Sequence, residues 1–408
     1  MATTEERLAA LEAKLAQLTA TTPTTYYTHQ YSGEEIDAAV GRALTGGALD
    51  TSVSNVSKEL GTFVRPNLLD NWYFGRPVDQ RGGKIIQQGV NIYTDSALKT
   101  LIGPADYACP VVELTSTYAK VRDAKNTSSY YYAAPEDVVR GYTGNGYGVD
   151  RWYFDTDSGS CVLALTNEGV KFIATAGATG IASLKQDIDP TTLSAFAGKT
   201  VTLSLLGKTD ISQQVLFYVN FKVAAAKSSP AVNSVCMTTL TYTFPEVLTN
   251  AAIFVYGRAY SGAGEGTILA AKLEIGPTQT LAHQENGKWV LNEVPEYGEQ
   301  LRRCQWYHRE IERSNYGTFA FGMSTSATEI DFLIPLNPPM RVAPSVSFEG
   351  SFATNGVSFN SISSLVVVKS YPDGIMLRAT GSGFVRGEER TLQVSSAATS
   401  KIIISADL

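Results

Sequence analysis

NLLDNWYFGRPVDQRGG, residues 67–83, separates a segment with helical periodicity from one that reads almost wholly as strands. Asp, Asn, Pro and Gly surround three consecutive aromatics, Trp72, Tyr73 and Phe74. Turn formers at this density end helices and set up strands. The expectation is a mainly β chain in which an N-terminal helical, coiled-coil stalk over 1–64 gives way at residue 65 to a globular β head.

Upstream of that stretch, Leu8, Leu11, Leu15 and Leu18 fall at alternating a and d positions of a heptad seam. So few heptads do not hold an isolated helix, so the seam must be buried against something. Self-association is the expectation, with the oligomer number left open by leucine at both a and d, and docking of one amphipathic helix on its own domain is the alternative. A Thr-rich spacer containing Pro23 ends this helix. Ser32 and Glu35 form a capping box for a second helix with Ile36, Val40 and Leu44 on one face, and a third is expected over 51–60.

The 408 residues suffice for two to four domains. With 44% hydrophobic and 18% charged residues the composition is that of a globular chain. Its 35 Gly, 21 Tyr and 16 Phe favour pleated surfaces and tight turns. A net charge of -6 without a basic stripe argues against a nucleic-acid partner. No stretch approaches the roughly 18 apolar residues of a membrane span, so no membrane insertion is expected. The N-terminus reads without a secretory signal, which implies synthesis in a cytoplasm. Cys109, Cys161, Cys236 and Cys304 lie far apart with no metal-ligand spacing and read as small core residues. No metal, cofactor or disulfide is expected.

Runs such as Val201 to Leu206, Val215 to Val223 and Ala252 to Tyr256 are strand-like and bounded by turn formers. Four segments occur in order: NLLDNWYFGRPVDQRG, YTGNGYGVDRW at 142–152, GKTVTLSLLGK at 198–208 and GTILAAKLEIGPT at 266–278. Together they resemble the head domain of bacteriophage tail-fibre and related tail proteins, which is similar to a carbohydrate-binding jelly roll. The resemblance implies a central jelly-roll β-sandwich over 65–290. Where that family passes quickly from the QRG motif to the DRW strand, about sixty residues intervene here, too many for a loop. An inserted small β subdomain over 84–141 is expected. Its strand order is similar to a bacterial SH3-like barrel, and a hairpin arm packed on the jelly roll or on a neighbouring subunit is the alternative.

Pro295 to Arg313 reads as one connecting helix within 291–314, with Leu301, Cys304, His308 and Ile311 as its stripe. EYGEQLRRCQWYHREI resembles the helix before the final β domain of many tail-fibre proteins. Six strand-like runs after residue 314 predict a C-terminal β-sandwich tip over 315–408.

Sugars present an apolar C–H face and a ring of hydroxyls, so aromatic faces with nearby amides and carboxylates are the side chains that suit them. The candidates for glycan binding are Tyr130, Tyr131, Tyr132, Tyr147, Trp152 and Tyr153. Alternation along a strand places neighbours among Tyr130, Tyr131 and Tyr132 on opposite faces. Trp72 and Trp152 lie in the family-like motifs, where buried packing is the commoner role. His29, His283 and His308 sit in no catalytic motif, and acidic pairs such as Asp155 and Asp157 arise by chance in a chain with 39 acidic residues. No catalytic residues are expected. The resemblance implies a homotrimeric receptor-binding tail fibre of the virion, attached to other tail or baseplate proteins through its N-terminus and recognising a bacterial surface glycan. A tail-borne polysaccharide depolymerase and a purely structural baseplate or neck component are the alternatives.

Overall fold

The computed structural model describes residues 65–407 apart from positions 107, 124–125, 127, 157–160, 175–179, 210–212, 230–231, 260–263, 357–358 and 397–398, together with the helical residues Ala9 and Ala13. The chain divides into two units, Met1–Phe63 and Val64–Leu408. The leucine seam at Leu8, Leu11, Leu15 and Leu18 lies outside the described residues, as do the two further helices expected before residue 64.

The second unit is mainly antiparallel β structure. Among the described residues, one twelve-stranded sheet runs in the order Val232–Thr243, Thr200–Thr209, Gly264–Ile275, Gly169–Ala174, Cys161–Thr166, Val138–Thr143, Lys84–Ile86, Cys109–Leu114, Ala119–Arg122, Tyr130–Ala133, Asn91–Tyr93 and Leu101–Pro104. A six-stranded sheet faces its first half, in the order Lys222–Ser229, Gln213–Val219, Ala251–Ala259, Gly180–Asp187, Tyr153–Thr156 and Gly146–Tyr147. The sandwich core draws alternate residues from both: Leu163, Phe172, Leu203, Leu205 and Leu273 from one sheet, Phe154, Leu184, Val215, Phe217, Ile253 and Val255 from the other. Alternation of this kind leaves the intervening residues of the six-stranded sheet on its outer face. The run Val215 to Val223 is a hairpin and not one strand, because Asn220 and Phe221 both take positive φ, 49° and 63°, and reverse the chain.

Residues 84–141 form an arm that continues the sandwich sheet. Lys84–Ile86 pairs with Val138–Thr143 on one side and Cys109–Leu114 on the other, which stitches the two parts together. The arm has its own small core of Ile86, Ile92, Ala105, Cys109, Val121 and Ala133. The SH3-like barrel expected here is corrected: the strand order is that of an open sheet, because the pairing partners are spent on extending the sandwich.

The connecting helix is also shorter than expected. It spans Tyr297–Cys304, and Glu296 caps it by accepting hydrogen bonds from the backbone N–H groups of Gly298 and Glu299 at 2.8 and 2.7 Å. The second half of the expected helix, His308–Ser314, is a strand paired with Thr399–Ser405. The stripe keeps the three- and four-residue spacing of a helix, but from His308 onward pairing with the Ile402-Ile403-Ile404 segment overrides it. The C-terminal part is likewise corrected from a sandwich to a closed six-stranded barrel, with Phe352–Asn355 pairing both Phe359–Tyr371 and Glu389–Val394 to complete the ring. A three-stranded sheet of His308–Ser314, Thr399–Ser405 and Ser345–Glu349 stands beside it.

Candidate functional site

Two outward sheet faces carry aromatic side chains, half-buried on the first and half-buried to exposed on the second. The larger is the outer face of the six-stranded sheet, whose other side packs on the main core and so holds it rigidly. A single register row crosses that face: Tyr147 opposite Tyr153, Tyr153 opposite Lys185, Lys185 opposite Phe254, and Phe254 opposite Leu216. Tyr147 and Tyr153 meet edge to face with ring centroids 5.5 Å apart, and Tyr218 meets Phe254 in the same manner at 6.1 Å. Arg81 stacks over Tyr147 at 5.1 Å. Burial pushes the Tyr147 phenol up to about 12, so it remains a neutral hydroxyl donor and acceptor at physiological pH.

Polar groups flank the rings. Lys185 and Asp187 form an ion pair at 2.9 Å with about a third of each side chain exposed. Asp155 registers opposite Ser183, and Gln214 donates from Nε2 to Ser228 Oγ at 2.9 Å. Ring edges and faces with a lysine, carboxylates and an amide within one sheet can pack against the C–H face of a pyranose while bonding its hydroxyls.

Of the sequence candidates, Tyr147 and Tyr153 lie on this face, whereas Trp152 does not. Trp152 is fully buried, packs on Phe74 with centroids 5.3 Å apart, and donates its indole N–H to the carbonyls of Asp70 and Asn71 at 3.2 and 3.0 Å. Trp152 and Phe154 point inward while Tyr153 points outward, so the tryptophan is removed from the candidates by strand alternation.

Tyr130, Tyr131 and Tyr132 stand on the arm, in the other sheet, and the fold does not bring them to the first face. Tyr131 packs against the arm core and donates to Asp123 at 3.1 Å. Tyr130, 42% exposed, lies under Lys120 at 4.8 Å, and Tyr132 meets Tyr118 edge to face at 5.3 Å. The arm thus forms a second, smaller aromatic face.

Lys185, Phe254 and Tyr218 went unrecognised in the sequence. The signal was present in the alternation Ile253-Phe254-Val255, where the flanking aliphatics point inward and the phenylalanine outward, but nothing in the sequence aligns Phe254 with Tyr153 across Lys185.

Among the described residues, no group of three or more His, Cys, Asp or Glu is placed to hold a metal ion, and no helix is long and apolar enough to cross a membrane. Of the four cysteines, Cys109, Cys161 and Cys304 are buried and Cys236 is half-buried.

No family model matches the chain, and no curated protein does. Among solved structures it is similar to a family 4 carbohydrate-binding module, at 14% identity over 34% of this chain and 87% of that one, with a TM-score of 0.25. It is similar as well to a point mutant of a family 29 carbohydrate-binding module, at 13% identity over 33% and 89% of the two chains, TM-score 0.23. A third likeness is to the enzymatically active domain of bacteriophage CBA120 tailspike protein 4, at 15% identity over 26% of this chain and 16% of that one, TM-score 0.21.

Proposed function

We propose that this chain is a receptor-binding protein of a phage tail that attaches to a bacterial surface glycan through the outer face of its six-stranded sheet, and that it binds without cleaving. The observation that carries the reading is the row Tyr147, Tyr153, Lys185 and Phe254, which sets three rings and a cation in register on a rigid outer surface. The tail-fibre role rests on the ordered sequence motifs between residues 67 and 278. On this reading the protein is a virion component, the N-terminal segment joins it to the tail, and three copies around one axis multiply weak single-site affinities by avidity.

Tyr153→Ala and Phe254→Ala test it. Each removes one platform, and an aromatic contact is worth about 0.5–1.5 kcal/mol, so binding to intact host cells or their purified surface polysaccharide should fall by roughly two- to twelvefold per site, more in an avid oligomer. Unchanged binding in the double variant, with circular dichroism intact, would remove this face from the function. Release of reducing ends from the same polysaccharide would favour the depolymerase reading instead.

A further inference from the structure

A cleft of about 200 Å³ opens where the sandwich, the helix Tyr297–Cys304 and the following turn meet. Trp306, 42% exposed, stands in its wall beside Tyr307, with ring centroids 5.9 Å apart and planes nearly perpendicular at 81°. Its indole supplies an apolar aromatic face open to solvent within the concavity.

The polar groups of the cleft are built rather than incidental. The Arg151 guanidinium lies over the Tyr307 ring, 3.5 Å from its centroid, and bonds Asp70 at 3.0 Å. Asp70 also takes Arg303 Nε at 2.8 Å, and a third of the Arg303 side chain stays exposed. Asp189 accepts from the Tyr307 phenol at 3.2 Å and from the Thr191 hydroxyl at 2.7 Å. Asp187, about 29% exposed, completes the opposite wall.

We propose that this cleft is a second carbohydrate site, distinct from the sheet face, that takes a single pyranose stacked on Trp306 with its hydroxyls bonded by Arg303 and Asp187. The volume is below the roughly 300–1,000 Å³ of pockets for drug-sized ligands and suits one ring, not a chain. The pairing of one open aromatic with a guanidinium and a carboxylate is the chemistry that reads a hydroxylated ring: the indole covers its C–H face, and the charged groups supply donors and acceptors to vicinal hydroxyls. Lys185, on the sheet face, pairs with the same Asp187, so the two sites adjoin, yet the cleft needs none of the face's rings.

The test uses the full chain with a panel of methyl hexopyranosides and free hexuronic acids, followed by saturation-transfer NMR and by tryptophan fluorescence. The expected result is transfer to ring C–H protons of at least one sugar at millimolar concentration, weakened roughly tenfold in Trp306→Ala and kept in Trp306→Phe, which preserves a platform. A preference for the hexuronic acids would assign the dominant contact to Arg303, and a preference for the neutral sugars would assign it to the stacking; either supports the site. Absence of transfer across the whole panel overturns it, as does equal behaviour of the two Trp306 variants. In the Tyr153→Ala, Phe254→Ala background, where the sheet face has lost two of its rings, a monosaccharide signal should persist and still fall on adding Trp306→Ala, which separates failure of this site from failure of the sheet face. If Trp306→Ala alters only the solution mass of the particle, the ring belongs to a subunit contact and the proposal falls.

Discussion

Asn71 spends every polar atom on the protein itself. Its backbone N–H donates to Gln300 at 2.8 Å, its amide Nδ2 donates to the carbonyls of Val78 and Asp150 at 2.8 Å each, and its Oδ1 accepts from Val78 at 2.7 Å. Its φ of 50° lies in the left-handed region, which Asn tolerates better than most residues. Asn71→Ala removes three side-chain bonds and strands buried partners, so a loss of about 2–4 kcal/mol is expected, read as a lower midpoint in urea with an unchanged slope. Asp150, beside it, is buried and bonded to Arg81 at 3.0 Å and Gln80 at 2.8 Å. Burial pushes its carboxyl up to about 6 in spite of Arg81. The folded state therefore holds this proton more tightly than the unfolded chain, so the stability Asp150 contributes is full below about 4 and is lost as pH rises through about 6. A shift of that size corresponds to about 3 kcal/mol. Asp150→Asn should flatten the pH dependence of melting over that window relative to the parent protein; parallel curves for the two would show that Asp150 does not titrate there.

Between Tyr297 and Ser314 one stretch of sequence divides into helix and strand. Glu296 fixes where the helix begins, and Tyr307 closes it by donating its N–H to the Cys304 carbonyl at 2.9 Å. Beyond that point backbone pairing with Thr399–Ser405 outweighs a helical propensity that is small per residue. The arm depends on an element of similar economy. Gly141 lies in Val138–Thr143, the strand shared by arm and sandwich, and a Cβ there would meet the Leu163 carbonyl and come 3.2 Å from the Ala164 Cα. Both obstacles are backbone, so neither can rotate away. Gly141→Ala should cost about 1–3 kcal/mol, with amide exchange accelerated first in Lys84–Ile86 and Val138–Thr143. Exchange that rises uniformly through the sandwich would show that arm and sandwich open as one unit.

For the whole molecule the expected assembly is three chains. Light scattering on a sizing column should give about 132 kDa, three times the 43.9 kDa chain, and removal of residues 1–64 should give a monomer with the same β circular dichroism. A monomeric parent protein would place the leucine seam on its own domain. The β character, the strand-like runs, the turn-rich hub at 67–83 and the burial of Trp72 were legible from the sequence, because composition and local turn chemistry are properties of short stretches of chain. The strand at His308–Ser314, the closure of the C-terminal barrel, the open arm, the alignment of Tyr147, Tyr153, Lys185 and Phe254, and the cleft at Trp306 were decided only by the tertiary structure. Each depends on which strand lies beside which, and pairing partners tens to hundreds of residues apart are selected by the fit of the whole core and leave no mark on local spacing.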